Sequence, residues 1–443
     1  MRTRTAGWVA DASQARLVAG DAAAPGHRRA VVDTREVAVG DLFVGLRGER
    51  TDGGEFAGEA LNAGAWGVLV GSRHEAGAAA SAGAGGAAVL VADDPLLSLQ
   101  ALARTWRREL GCRVVGVTGS TGKTSTKDIL AALLTGHLRT HANRENLNTE
   151  IGLPLTILDA PEETEAMVLE MAMRGEGQIA ELVGVAEPDV GVIVNVGPVH
   201  LELLGTVERV AAAKAELIRD LRPGAACVVP ASEPLLEAHL REDVDTITFG
   251  PGGEVMLLSM DGGRAEIEAR GRRIQLELPY AEPYNLLNTL AAVGAATALG
   301  VRPAGPVAVR FSSLRGEVLE LPGGVTVVND CYNANPMSMR AALQHLAETP
   351  AERRFAVLGT MAELGPDSPV FHREIGEEAE ALGIDVLVTV GEEALGYAEG
   401  FDGEKYAAGT PEEAGGLLEE LALPGDRVLV KGSRSAGLER VLS

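Results

Sequence analysis

A glycine-rich loop that ends in Lys-Thr is the part of the sequence with the most definite chemistry. The apolar run 114–117 is soon followed by Gly-Ser-Thr-Gly-Lys-Thr-Ser at residues 119–125, and a stretch of helical character comes next. Between a strand and a helix, such a loop points backbone N–H groups at phosphate, and the helix N-terminus adds positive potential. Lys123 would neutralise the β- and γ-phosphates, and the Thr124 hydroxyl would ligate magnesium. We therefore predict an ATP site formed by Gly119, Ser120, Thr121, Gly122, Lys123, Thr124 and Ser125.

The loop departs from the commonest phosphate-loop spacing, because Val117 stands where the first glycine is expected. The shorter Gly-x-x-Gly-Lys-Thr core remains. The alternative interpretation is a Gly-rich turn between a strand and a helix, with Lys123 on the surface. The flanking strand and helix favour ATP binding.

Two further polar residues follow apolar runs. Glu170 ends the run 167–169, and His200 follows the run 190–196 after a short Gly-Pro turn. Ligands of open parallel sheets lie beyond the carboxyl ends of the strands, so both residues could reach the edge that carries the phosphate loop. Carboxylate and imidazole groups are suitable ligands for a second divalent ion. Taken alone, Glu170 could equally be a surface residue and His200 a packed or capping histidine.

The elements that must position these residues alternate as in parallel-sheet proteins. Short apolar runs are separated by longer Ala-rich stretches of helical character, which predicts an α/β fold with a mostly parallel central sheet and flanking helices. Lys214 lies in one such stretch, and composition alone indicates a solvent-exposed helix lysine. The runs expected to be strands are 66–70, 89–92, 114–117, 167–169, 190–196, 325–328, 355–358, 386–390 and 428–430.

The length of 443 residues indicates about three domains. A helix is expected over 97–110 with a new strand near Arg113, and Gly and Pro cluster at 300–306 after an Ala-rich helix. We place the domains at 1–111, 112–302 and 303–443. The Gly-, Ala- and Ser-rich stretch 77–88 is expected to be a surface connection inside the first domain.

Composition restricts the partners and the compartment. The net charge is −24, from 39 basic and 63 acidic residues, which disfavours nucleic acid as a partner but allows a small anionic ligand. The three cysteines have no paired spacing, so neither a disulfide framework nor a zinc site is expected. No apolar segment follows the first four residues, and no apolar run approaches the roughly 20 residues that span a bilayer. We expect a cytoplasmic protein without a signal peptide or membrane insertion.

Several separate segments resemble the Mur ligases. The short Gly-x-x-Gly-Lys-Thr form of the loop matches that family, and so do the segment 146–154 and the Asn-x-x-Asn pair. The resemblance implies a first magnesium on Thr124 and a second on Glu170, His200 and Lys214, with Lys214 carried as a carbamate. It places Asn285 and Asn288 near the nucleotide, and Tyr284 stands where a histidine is more frequent.

Segments in the C-terminal and N-terminal parts of the chain indicate which members of this family it resembles. Residues 329–339 look like the signature of family members that add D-alanyl-D-alanine, and 357–365 and 431–434 also match the family. Residues 33–35 and 40–53 resemble its UDP-sugar recognition segment, although Gly54 replaces a frequent histidine. Thr360 stands where an acidic residue is commoner. The resemblance implies that Arg315 reaches the γ-phosphate, that Asp330 holds the ribose hydroxyls and that Asn333 also contacts the nucleotide. The substrate contacts that it implies are Thr34, Arg35, Asn146, Asn148, Thr149, Asn335, Lys431, Ser433 and Arg434.

The resemblance therefore implies a reaction and an architecture. A small α/β N-terminal domain would bind the UDP end, a central phosphate-loop domain the ATP, and a Rossmann-like C-terminal domain the incoming dipeptide. ATP, a UDP-muramoyl tripeptide and D-alanyl-D-alanine would give the pentapeptide, ADP and phosphate through an acyl phosphate. Lys123, His200, Lys214 and Arg315 would be catalytic, with ATP and two magnesium ions as cofactors, in a monomer.

Other functions stay open at this point. A sister ligase could add one amino acid to the muramoyl peptide or glutamates to folate, although residues 332–336 speak against it. Gly54 keeps open a related ligase with another peptide product. A switch or transporter ATPase would leave Glu170, His200 and Lys214 without a purpose, and a non-catalytic scaffold would not need the ATP-site residues.

Overall fold

The computed structural model describes residues 3–83, 86–144 and 146–442, and within them the chain forms three sheets in succession. The remaining residues include the first two, on which the signal-peptide prediction partly rests, and residues 84 and 85 of the Gly- and Ala-rich stretch. No helix of the described part is long and apolar enough to cross a bilayer. The three cysteines are buried and free.

The first sheet has five strands in the order β1-β5-β4-β3-β2, with only the β1–β5 pair antiparallel. Its strands are β1 (Arg16–Ala19), β2 (Ala30–Val31), β3 (Leu42–Val44), β4 (Gly67–Gly71) and β5 (Ala88–Ala92). Its helices are α1 (Ala6–Ser13), α2 (Ala57–Asn62), α3 (Glu75–Ala82) and α4 (Pro95–Leu110).

The second sheet has ten strands in the order β15-β14-β13-β12-β11-β10-β9-β6-β8-β7. Its strands are β6 (Arg113–Thr118), β7 (Thr140–Ala142), β8 (Ala166–Glu170), β9 (Val190–Ile193), β10 (Ala226–Pro230), β11 (Asp245–Phe249), β12 (Val255–Asp261), β13 (Arg264–Ala269), β14 (Arg272–Glu277) and β15 (Gly305–Pro306). Its helices are α5 (Lys123–Thr135), α6 (Gly152–Asp159), α7 (Gln178–Ala186), α8 (Leu201–Leu204), α9 (Val207–Arg219), α10 (Pro234–Glu237) and α11 (Pro283–Ala298).

The third sheet has six strands in the order β16-β17-β21-β18-β19-β20, and all pairs except β16–β17 are parallel. Its strands are β16 (Glu317–Leu321), β17 (Val325–Asp330), β18 (Arg354–Gly359), β19 (Val386–Val390), β20 (Glu404–Ala408) and β21 (Arg427–Lys431). Its helices are α12 (Pro336–Glu348), α13 (Ser368–Ala381), α14 (Gly396–Glu399) and α15 (Pro411–Leu421).

The α/β fold with mostly parallel sheets and flanking helices is confirmed, and each predicted apolar run overlaps a strand, although β9 ends at residue 193, before the end of the run 190–196. The runs are recognisable because a strand covered on both faces is apolar along its length. Two details differ from the sequence prediction. Residues 77–82 belong to α3 and bury Ala78 and Ala82, so this part of the expected surface connection is a packed helix. The short strand β15 pairs with β14 beyond residue 302, so the central sheet extends past that position.

Helix α4 joins the first sheet to the central domain. It begins at an N-cap, Asp94, followed by Pro95 at the first helical position, which suits proline because that N–H needs no partner. Its apolar face packs against α1 on one side and against α6 and α7 on the other. Trp106 of this face is 1% exposed, meets the Trp8 ring edge-on and donates its indole N–H to the Ala160 carbonyl at 3.3 Å. The two domains therefore share one core.

Replacing Trp106 by alanine should lower the free energy of unfolding by about 3–5 kcal/mol, because the change leaves a large cavity in this shared core. Leu97→Ala on the same helix is the matched control, since Leu97 is 60% exposed. Urea unfolding followed by circular dichroism measures both variants. Equal loss in the two variants would contradict the role given to α4.

Candidate functional site

The phosphate loop connects β6 to α5, as its sequence predicts. Gly122 has a φ of 76°, a left-handed conformation that favours glycine, and a Cβ there would lie 2.5 Å from the Asn288 side-chain oxygen. The Asn195 side-chain oxygen accepts hydrogen bonds from the backbone N–H groups of Ser120 (3.1 Å) and Thr121 (2.9 Å) and holds the loop in place. The first N–H groups of α5 have no partner within the helix and remain available to an anion.

Lys123 begins α5 and lines the cavity. Its Nζ donates a hydrogen bond to the Gly119 carbonyl at 2.9 Å. Burial lowers the pKa of the Lys123 ammonium, while the nearby Glu170 carboxylate opposes that shift. The Lys123 side chain is half-buried and lines the cavity, so it is not the exposed surface lysine of the alternative interpretation.

Glu170 lies at the end of β8, directly beside the loop, and is 1% exposed. One carboxylate oxygen accepts from the Thr124 hydroxyl at 2.7 Å, and the other accepts from the Asn148 amide at 2.8 Å. The Asn143 side chain bonds both the N–H and the carbonyl of Glu170. These contacts fix a buried carboxylate whose oxygens keep lone pairs for further ligands.

Lys214 projects from α9 and is 2% exposed, so the solvent-exposed reading of this lysine is wrong. Among the described residues, none accepts a hydrogen bond from the Lys214 amine, and none forms an ion pair with it. Burial holds the pKa of Lys214 well below its usual range, and the positive charge of Lys123 lowers that pKa further. A neutral amine that lines the cavity is the form that reacts with carbon dioxide.

His200 also lines the cavity, and its backbone has a left-handed φ of 53°. Its Nδ1 is hydrogen-bonded to Glu363, a residue of the C-terminal domain. Glu363 lies 3.3 Å from the Arg174 guanidinium as well. The hydrogen bond with His200 lowers the pKa of the Glu363 carboxyl below its usual value, and Arg174 adds to this.

The C-terminal domain closes the other side of the site. The Arg315 guanidinium lies 4.0 Å from the centre of the Tyr332 ring, and its Nε is buried with no hydrogen-bond partner in the described structure. Lys431, at the end of β21, is 2% exposed and donates to Asp330 at 2.5 Å and to the Asn333 carbonyl at 3.1 Å. Asp330 and Lys431 end β17 and β21, Tyr332 and Asn333 follow β17, and Arg315 precedes the antiparallel strand β16, so all of them lie near the same edge of the third sheet.

A single cavity of about 1110 Å³ joins these groups. Tyr284, the residue in place of a frequent histidine, lines it too and meets the His345 ring edge-on. Burial raises the pKa of the Tyr284 hydroxyl. The predicted site residues that line the cavity are Gly119, Ser120, Thr121, Gly122, Lys123, Thr124, Ser125, Asn146, Asn148, Thr149, Glu170, His200, Lys214, Asn285, Asn288, Arg315, Asp330, Asn333, Asn335 and Lys431.

Four predicted substrate residues lie away from this cavity. Thr34 and Arg35 belong to a short helical turn of the first domain, where Arg35 pairs with Asp33. Arg434 pairs with Glu439. Ser433 is 3% exposed and braces the backbone of residues 360–362.

The structure explains why position 54 is a glycine in this chain. A Cβ at Gly54 would lie 2.3 Å from the His74 ring, so that ring already fills the space of a larger side chain. His74 also lies 3.2 Å from Asp52. A histidine at position 54 therefore cannot be accommodated without moving His74.

The donor set fits magnesium better than a softer metal. Within the described residues, no three or more His, Cys, Asp or Glu side chains cluster to hold a metal. The cavity instead offers Glu170, His200 and the Thr124 hydroxyl, and the remaining ligands of a hard cation would come from oxygen atoms such as phosphate and carbamate. The partnerless amine of Lys214 is suited to supply that carbamate.

Sequence reasoning did not identify Asn195, Asn143 and Glu363 as parts of the site. Asn195 lies inside the apolar run 190–196, and a polar residue in such a run near a strand end is a usable signal. Asn143 and Glu363 carry no such signal, because their contacts join segments that are distant in the sequence.

A phosphate loop, a buried carboxylate beside it and a second α/β domain across the cavity define a nucleotide-binding enzyme of three α/β domains. The Mur ligase middle domain matches residues 117–296, and the Mur ligase, glutamate ligase domain matches residues 314–434. The UDP-N-acetylmuramoyl-tripeptide–D-alanyl-D-alanine ligase of Synechocystis sp. is 36% identical over 93% of this chain and 90% of its own length. The chain belongs to the Mur ligase family.

Two solved structures are similar to this chain over most of its length. A MurF structure from Acinetobacter baumannii has a TM-score of 0.86 at 28% identity and covers 99% of this chain and 98% of its own. MurF ligase from Thermotoga maritima, in complex with ADP, has a TM-score of 0.81 at 34% identity and covers 94% of this chain and 96% of its own.

Gly122→Ala should weaken nucleotide binding by about five- to thirtyfold. An alanine at this left-handed φ costs about 1–2 kcal/mol, and its Cβ would push Asn288 away from the loop. Gly136→Ala, at the other end of α5, is the control because a Cβ there meets nothing within 4 Å. Calorimetric titration with ATP measures both, and equal affinities would contradict the close approach of loop and Asn288.

Proposed function

We propose that the chain joins D-alanyl-D-alanine to UDP-N-acetylmuramoyl-tripeptide with ATP, giving the pentapeptide, ADP and phosphate in peptidoglycan synthesis. The observation that carries this proposal is the single cavity that places the phosphate loop of one domain against Arg315 and Asp330 of the next. The full-length similarity to ligases of this name supports the same reaction.

The geometry suits activation of a carboxylate. A carboxylate resists attack because it is already negative, so the tripeptide carboxylate first attacks the γ-phosphorus of ATP and ADP leaves. The amine of D-alanyl-D-alanine then attacks the acyl phosphate carbon, loses a proton, and phosphate leaves. Both steps need charge neutralisation more than a covalent nucleophile. Lys123 and Arg315 lie in the cavity to supply it.

The metal ligands remain a proposal. Thr124, Glu170, His200 and a carbamate on Lys214 would hold two magnesium ions. Magnesium, when bound, would neutralise charge on the phosphates. Thr124 and Glu170 are already hydrogen-bonded to each other at 2.7 Å, which supports a shared role beside the phosphate loop.

The remaining substrate contacts also stay proposals. Thr34 and Arg35 of the first domain would bind the UDP end, and Asn335, Lys431, Ser433 and Arg434 the dipeptide end. Asn335 and Lys431 line the cavity, whereas Ser433 acts through the backbone it braces. We also propose that the chain uses ATP and acts as a monomer in the cytoplasm. The proposed domain ranges are 1–111, 112–302 and 303–443.

Phosphate release from ATP, with UDP-muramoyl-tripeptide and D-alanyl-D-alanine added singly and together, tests this function. Release that requires both, with a pentapeptide by mass spectrometry, is the expected result. Release without either substrate would favour a switch ATPase. A product formed only with a single amino acid or another peptide would favour a sister ligase or a related ligase with a different acceptor.

Lys214 should carry a carbamate in solution. Because burial lowers the pKa of its amine, a larger neutral fraction reacts with carbon dioxide than for an exposed lysine at the same pH. Enzyme equilibrated with ¹³C-bicarbonate should show a carbamate signal by ¹³C NMR that is missing in Lys214→Arg. Lys405→Arg, at an exposed lysine outside the cavity, is the control. A signal retained in Lys214→Arg, or none in the parent protein, would count against the carbamate.

A further inference from the structure

The segment 360–365, after β18, carries the C-terminal domain onto the central domain beside the site. The Glu202 N–H donates to the Glu363 carbonyl at 3.3 Å. Gly365 approaches so closely that a Cβ there would lie 3.2 Å from the Glu202 Cα. The Glu363 side chain reaches His200 and Arg174 from this point. A residue of one domain thus holds a cavity residue of the other.

The backbone at this contact is held in an uncommon conformation on both sides. Glu363 has a φ of 64° and His200 a φ of 53°, both left-handed and both in residues that are not glycine. Such conformations persist where surrounding contacts enforce them, and they concentrate at functional sites. Neither contributes stability by itself.

The surrounding contacts are present on the C-terminal side. The Met361 N–H donates to His372 Nε2 at 3.0 Å, and the Ala362 N–H donates to the Ser433 hydroxyl at 2.9 Å. The Ser433 N–H in turn donates to the Thr360 carbonyl at 2.9 Å. The segment is therefore fixed to its own domain before Glu363 projects from it.

The hydrogen bond between Glu363 and His200 determines which nitrogen of the His200 ring carries the proton. In neutral histidine one ring nitrogen carries the proton and the other offers a lone pair. Glu363 is at Nδ1, so it holds the proton on Nδ1 and leaves the lone pair of Nε2 for the cavity. Carboxylates that bond the far nitrogen of a metal-binding histidine fix its tautomer and orientation.

We propose that Glu363 is a positioning residue, which sets the tautomer and direction of His200 when the C-terminal domain is docked. Metal affinity at His200 would then depend on the docking of the C-terminal domain, because the residue that orients the ligand belongs to that domain. This inference rests on the proposed function, in which His200 is a magnesium ligand. The competing explanation is an ion pair that only joins the two domains.

The variants are Glu363→Ala and Glu363→Gln, with Glu202→Ala as the matched control. Alanine keeps a Cβ at the left-handed φ, so the backbone preference hardly changes while the carboxylate is lost. Glutamine keeps an oxygen that can accept from Nδ1 and should restore part of the effect. The Glu202 side chain belongs to the same contact but is exposed, and it makes no hydrogen bond or ion pair in the described structure.

The first measurement needs neither metal nor turnover. ¹⁵N-histidine NMR above about pH 8 reports which ring nitrogen carries the proton, with the His200 signal assigned by its absence in His200→Gln. The Nδ1–H form is expected in the parent protein and in Glu202→Ala. Glu363→Ala should shift His200 towards the Nε2–H form. An unchanged His200 tautomer in Glu363→Ala would overturn the proposal.

The second measurement is the magnesium dependence of pentapeptide formation. Glu363→Ala should raise the magnesium concentration for half-maximal rate by about 10- to 100-fold, with Glu363→Gln in between and Glu202→Ala unchanged. A lower rate with unchanged magnesium dependence would identify a purely structural ion pair and overturn the proposal. If the parent protein makes no pentapeptide, the proposed function fails, whereas the tautomer measurement still decides whether Glu363 positions His200.

Discussion

The site depends on one constraint, that the carboxyl ends of parallel strands from two different sheets open onto the same cavity. In the central sheet, β6 leads into the phosphate loop and β8 ends at Glu170. In the C-terminal sheet, β17 ends at Asp330 and β21 at Lys431. The buried strands are apolar along their length, so polar side chains occur where the strands end. The reacting groups therefore collect at this edge, and neither sheet alone holds the complete set.

Electrostatics indicates what this cavity can bind. The chain carries a net charge of −24, yet Lys123 and Lys214 both line the cavity, where burial lowers the pKa of both amines. Such a cavity favours triphosphate and disfavours a second cation unless a new anion appears. A carbamate on Lys214 would be that anion. Closure by the C-terminal domain would also exclude water from an acyl phosphate, which water would otherwise hydrolyse.

Much of this could be predicted from the sequence because it is local. The phosphate loop and the strand end at Glu170 follow from apolar runs and the residues that end them, whereas Asp330 was predicted from the family resemblance. Other features are not local. Strands β13 and β14 interleave charged and apolar residues and carry no continuous apolar run, so they were not expected. Helix α3 was not predicted because its Gly- and Ala-rich composition suggests a loop. In the structure the burial of Ala78 and Ala82 stabilises a helix there.

The most direct test of the central claim follows one oxygen atom. UDP-muramoyl-tripeptide with an ¹⁸O-labelled terminal carboxylate is incubated with the enzyme, ATP and D-alanyl-D-alanine, and the inorganic phosphate is examined by mass spectrometry. Attack of the carboxylate on the γ-phosphorus predicts that one ¹⁸O appears in the phosphate for each pentapeptide formed. Phosphate without the label would mean that water takes the phosphoryl group, and it would contradict this account of the site.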